Sequence, residues 1–315
     1  MTELQRTQIC ATSIPEDAPS VSSKDFAAFM TRLIWPLNTV QKIAFLNSPE
    51  DGNVAMQIAS NDDSKKDQLQ IKYEEQAKKG TLNIKEAIKE IVTQRYTPIL
   101  DRLKLEFVDN PNDASIRIKF DSTKGSWSKV GSDALSVSDK TEPTMNFGWF
   151  NTSTVLHEFG HAIGLVHEHQ NPKGNTIEWN KPKLYAWATS TQGWDKSQTN
   201  KQIIQRYSEN ELNGSSYDPS SIMLYFYPSK LTTDNQGTSQ NLTLSDTDIQ
   251  VIKKIYGKDS TDEQNTQQTV LGRGMLGTKP SSSSYLYIAA ALAIALSIGI
   301  GIYLGRSRLK KKKRK

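Results

Sequence analysis

The sequence predicts an α+β fold followed by one further apolar helix, and three observations lead there. Strand-like alternation at Leu105–Val108 and Ile116–Phe120 is interleaved with helix-period stretches such as Ile84–Tyr96. All four histidines of the 315-residue chain fall within 157–169, two of them at helical spacing. Tyr285–Leu304 then runs for twenty residues without a charge, the length of a helix that crosses a hydrocarbon core.

The elements follow in order. Residues 1–25 are polar and lack the basic-then-apolar start of a signal peptide. Phe26, Phe29, Met30, Leu33 and Ile34 recur as on a packing helix from Asp25 to Trp35, and Pro36 stops it. Val40–Leu46 reads as the first strand. Residues 48–80 are polar and charged, and read as a surface insertion. Ile84, Ala87, Ile88, Ile91 and Val92 share one helix face, with Pro98 soon after. Thr152–Thr154 offers caps for a helix from about 153 to 164. From His169 to Met223 the chain is long, polar and turn-rich. Ser245-Asp-Thr-Asp248 opens a last helix that carries Ile249, Ile252 and Ile255/Tyr256 and ends at Gly257.

The densest chemistry is His157-Glu-Phe-Gly-His161-Ala-Ile-Gly164-Leu-Val-His167-Glu-His169. Residues four apart on a helix stand one above the other, so His157 and His161 can share one ion. Gly164 tolerates positive φ, which ends the helix and turns the chain back. That turn brings His167 in as a third nitrogen. Three protein ligands leave a fourth position for water, the arrangement of a catalytic rather than a structural Zn2+ site. Glu158 is placed to act as general base on that water. One catalytic zinc ion, held by His157, His161 and His167, is therefore expected.

Downstream stands Tyr217-Asp-Pro-Ser-Ser-Ile-Met223-Leu-Tyr225. Together with the long histidine motif, this resembles the metzincin metalloproteases, and Ser221-Ile-Met223-Leu-Tyr225 resembles the methionine turn of their astacin-like branch. Ala114–Phe120, Gly125–Ser128, Thr144–Trp149, His167–Pro172 and Leu244–Gly257 look like further blocks of that family, so the resemblance covers about 35–258. It implies a two-lobed zinc protease domain over 26–258. Such a domain has a twisted mixed sheet with helices above, and an irregular lower lobe closed by a C-terminal helix. It implies a protein or peptide substrate, paired with the strand edge beyond Ile116–Phe120 and hydrolysed by the endopeptidase reaction. It implies that Met223 floors the site, that Tyr225 joins the zinc and assists the oxyanion, and that Glu168 meets a mature N-terminus. Trp127 and Trp149 line the cleft or pack in the core. The alternative is a catalytically silent metzincin scaffold serving as a membrane-displayed binding or structural protein. A third reading is zinc-assisted hydrolysis of something other than a peptide.

Composition limits the partners. Eight of the 39 Lys and Arg lie in the tail within 306–315, and against 34 Asp and Glu the rest is slightly acidic. The basic pI therefore belongs to the tail, and no nucleic-acid partner is expected. A single cysteine, Cys10, allows no intramolecular disulfide, which suits a body folded in a reducing compartment or a lineage that never used disulfides. Residues 259–284 read as a flexible linker, 285–304 as a transmembrane helix and 305–315 as a basic tail. Tyr285, Tyr287 and Tyr303 suit aromatic belts, and Ala289, Ala293, Ser297, Gly301 and Gly305 form a small-residue stripe that would let two such helices pair as a homodimer. The expectation is a single-pass membrane protein. The basic tail favours a body outside the cytosol, whereas the polar start and lone cysteine favour a cytosol-facing one, and the balance falls on the latter. Asn151, Asn213 and Asn241 head glycosylation sequons.

Overall fold

A computed structural model describes residues 29–46, 54–58, 60, 62–208, 212–213 and 216–258. Cys10, the linker, the expected membrane helix 285–304 and the basic tail lie outside the described residues. Among the described residues no helix is long and apolar enough to cross a membrane.

A mixed five-stranded sheet carries the upper part of the molecule. Its strands are β2 (Thr39–Phe45), β3 (Leu103–Phe107), β4 (Ile116–Phe120), β5 (Trp127–Ser128) and β6 (Met145–Phe147), in the spatial order β3-β2-β4-β6-β5. Every pairing is parallel except β5–β6, so the antiparallel strand forms one edge. Ile43, Ile116, Ile118, Phe120 and Phe147 are buried, and rings of Phe45, Phe107, Phe120 and Phe147 stack across neighbouring strands. Arg117 is fully buried on β4. Its guanidinium donates to the carbonyls of Ala114, Val137 and Glu142, tying the strand to the loop that returns into β6.

Helix α2 (Ile84–Arg95) forms as its periodicity predicts. Asn83 caps it through Glu86 N, and Ala87, Ile88, Ile91 and Val92 go into the core. Helix α3 (Thr152–Ala162) lies in the same core with Val155, Leu156 and Phe159 buried. Below it, α4 (Lys181–Gln192) and the short α5 (Lys196–Thr199) surround a second cluster of Leu184, Trp187, Ile203, Tyr227 and Leu231. Helix α6 (Asp246–Tyr256) has the expected Ser245/Asp248 capping box and buries Val251, Ile252 and Tyr256.

Two expectations are corrected. Within 25–35, the described residues form no α-helix. Strand β1 (Phe29–Met30) pairs antiparallel with β7 (Leu212–Asn213), and Thr31–Leu33 makes one 3-10 turn. Tertiary hydrogen bonds outweigh the local periodicity here. Trp35 N donates to Tyr256 Oη, and its indole donates to Ala162 O at 2.7 Å. The 48–80 stretch is not a surface appendage either. It contains α1 (Gln68–Lys78), which buries Leu69 and Tyr73 in the main core. Its charges misled because they pair with one another: Lys66 with Glu74 at 2.7 Å, and Asp67 with Arg95 of α2 at 2.7 Å.

Tyr256 Oη accepts from Trp35 N at 3.0 Å and donates to Ile163 O at 2.8 Å, joining three distant segments at the end of α3. Tyr256→Phe leaves both buried groups unsatisfied. It is expected to destabilise the domain by about 1–3 kcal/mol, read as a lower urea midpoint at unchanged slope.

Candidate metal centre

Helix α3 starts because Asn151 turns its side chain onto the exposed amides: Oδ1 accepts from Thr154 N at 2.7 Å and from Ser153 Oγ at 2.9 Å. Asn151 is buried in that role, so its sequon is not presented to a glycosylating enzyme in the folded domain. Asn241 is also engaged, with Nδ2 donating to Pro219 O and Ser221 O. Trp149 is buried, and its indole donates to Thr154 Oγ1. The helix ends at Ala162, and Gly164 turns the chain at φ 113. A side chain is strained at that angle, which is why a glycine stands there.

The turn brings His167 back beside His157 and His161. One ring nitrogen from each can be chosen so that all three lie within 4.8 Å of one another. His157 Nδ1 lies 2.8 Å from Ile222 O, and His161 Nδ1 lies 2.8 Å from Leu165 O. A carbonyl only accepts, so each Nδ1 carries the proton and each Nε2 offers a lone pair. His157 Nε2 is a buried acceptor without a hydrogen-bond partner. His161 Nε2 lies 3.1 Å from His167 Nε2. Burial lowers the pKa of all three, that of His157 to about 4, so the imidazoles are neutral at neutral pH. Neutral nitrogens held this way, one of them an orphaned acceptor, fit Zn2+.

The methionine turn closes the site from below. Met223 is buried, and its carbonyl accepts from Glu168 N. Its sulfur rests against Gly160, where an added Cβ would stand only 2.6 Å from it. Gly160 escaped the sequence reading, which asked of glycines only where the helix ends. The turn is pinned by Asp248 of α6, whose carboxylate accepts from Ser221 Oγ at 2.7 Å and Ile222 N at 2.8 Å. The backbone of Ile222 thus links the Asp248 carboxylate, through its N–H, to the His157 ring, through its carbonyl. In sequence, Asp248 shows only as a helix-capping residue.

The remaining residues fall around this core. Tyr225 Oη lies 2.8 Å from His167 Nε2, and its ring centroid is 4.7 Å from that of His157. Glu158 is fully buried on α3, next in sequence to His157. Glu168 is buried away from water, with Oε1 accepting from Asn171 Nδ2 and Asp218 N, and burial raises its pKa to about 8. His169 stands outside the three. It stacks on His167 at 5.2 Å and reaches Gln202 O through Nε2. Trp127 lies on the edge strand β5, half-buried.

Fold and centre together define a metalloprotease: a mixed sheet over a histidine helix, three converging imidazoles and a methionine floor. The peptidase family described as Astacin matches residues 59–260, and the chain belongs to it. Two solved structures of myroilysin are similar. One has a TM-score of 0.58 at 29% identity, covering 73% of this chain and 98% of that one. The other has a TM-score of 0.51 at 26% identity, covering 82% and 94%. A comparison with curated proteins finds no match.

Gly160→Ala forces a methyl into the space of the Met223 sulfur. The expected result is a loss of about 1–3 kcal/mol in equilibrium unfolding. An unchanged midpoint would mean that Met223 repacks without strain.

Proposed function

We propose that this protein is a zinc endopeptidase in which Glu158 is the general base, and that residues 285–304 tether it to a membrane. The observation that carries the catalytic reading is the meeting of His157, His161 and His167 nitrogens around one point. Zinc, when bound there, polarises the scissile carbonyl and acidifies a water at neutral pH. Glu158 takes the proton of the attacking water and delivers it to the departing amine. Tyr225 donates its phenolic hydrogen to the oxyanion that forms as the carbonyl is attacked. Its hydroxyl, 2.8 Å from His167 Nε2, supports that role. Burial of all three histidines keeps bulk water from competing for the same nitrogens. The edge strand β5 is the backbone ladder on which an extended peptide pairs.

Glu158→Ala is expected to retain stoichiometric zinc and to lose peptide cleavage by several orders of magnitude. His161→Ala is expected to lose the metal itself, checked by metal analysis of the purified variant. Zinc-loaded Glu158→Ala with residual cleavage near wild type would remove Glu158 from the mechanism. Tyr225→Phe is expected to lower kcat by about 10- to 100-fold with KM nearly unchanged, measured on a fluorogenic peptide.

For the membrane, the charge-free run Tyr285–Leu304 and the eight basic residues behind it support a single-pass anchor, and its small-residue stripe supports helix pairing. We place the catalytic domain on the cytosolic side. Protease treatment of sealed membranes is expected to digest the domain without detergent. A protected domain would reverse the orientation, and release of the full chain by alkaline carbonate would remove the anchor.

A further inference from the structure

Residues 54–78 take no part in the chemistry above, yet they hold the start of α3. Phe150 N donates to Ala55 O at 3.0 Å, and Gln57 N donates to Phe150 O at 2.8 Å. Tyr73 meets Phe150 edge-on, with ring centroids 5.7 Å apart. Gln70 Oε1 accepts from Thr152 N at 2.8 Å, at the first residue of α3. A helix leaves its first amides without partners inside itself. Asn151 satisfies Thr154 N, and Gln70 satisfies Thr152 N from another helix.

The sense of the Gln70 amide is imposed rather than free. Its Nε2 donates to Glu74 Oε1 at 2.8 Å and to Gln57 O at 3.2 Å, both of which only accept. Oε1 is thereby left facing Thr152. Glu74 is fixed in turn by Lys66 Nζ at 2.7 Å, which also reaches Asp63 at 2.8 Å. Gln70 is 2% exposed, so water does not replace any of these bonds cheaply.

We infer that Gln70 is a positioning residue for the metal centre, resting on the metallopeptidase reading above. It sets where α3 begins. Because α3 runs unbroken from Thr152 to Ala162, it thereby also sets where His157, Glu158 and His161 stand. Lys66 and Glu74 act through it by holding the amide in one sense.

The test measures zinc release from the full-length protein to a chromogenic chelator, alongside kcat and KM. Gln70→Ala is expected to release zinc roughly tenfold faster and to lower kcat roughly tenfold with KM within about twofold. If Gln70→Ala does not fold, Gln70→Asn, one methylene shorter, serves the same comparison. The inference is overturned if the single variant melts earlier yet releases zinc at the wild-type rate, or if its kcat stays at the wild-type value. Release is read without substrate, so a wild type that binds zinc but cleaves nothing refutes the peptidase reading alone.

Discussion

Three neutral imidazoles crowded together and sealed from water are unfavourable by themselves: the Tyr225 hydroxyl reaches His167 Nε2, but no hydrogen-bond donor reaches the lone pair of His157 Nε2. The rest of the structure depends on holding them there. Two backbone carbonyls do most of that: Leu165 O for the His161 ring and Ile222 O for the His157 ring. The first is local, delivered by the turn at Gly164. The second comes from the methionine turn, and that turn is itself fixed by a carboxylate on the last helix. The orientation of one ring is therefore decided by three separate parts of the chain.

Helix α3 serves as the rigid member between these supports. It is capped at its start by Asn151 and Gln70. It is gripped midway by Tyr96, whose hydroxyl donates to Leu156 O, and bonded at its end by Trp35 and Tyr256. Along its length it buries apolar side chains among those of the sheet and α2. A wall of aromatic rings stands behind His167, where Tyr227 meets His169, Trp179 and Tyr225 edge to face. Side chains packed this closely have few alternative rotamers, so the site is shaped before a substrate arrives.

Much of this was legible in the residues alone. Histidines at i, i+4 followed by glycine and a third histidine carry their geometry in their spacing. The strands around Ile116–Phe120, helix α2 and the capping box of α6 showed plain periodicity. The misreadings share one cause. Lys66, Asp67 and Glu74 look like a solvated face because pattern reading scores charges singly, whereas in the fold Lys66 pairs with Glu74, and Asp67 with Arg95 of α2. Asn151 reads as a sequon until it is seen capping a helix. Gly160 carried no signal of its own in the sequence, and only the fold sets the Met223 sulfur against it.

The sequence by itself determined which residues hold the metal, because a helix converts a spacing of four residues into a shared face without help from any other segment. It also marked the methionine turn and the charge-free run near the C-terminus. Only the tertiary structure decided how those ligands are aimed. The hydrogen bonds that orient His157, and the one that Gln70 makes to α3, join positions far apart in the chain. No local pattern encodes such a meeting, since it arises only when sheet, helices and turn share one core.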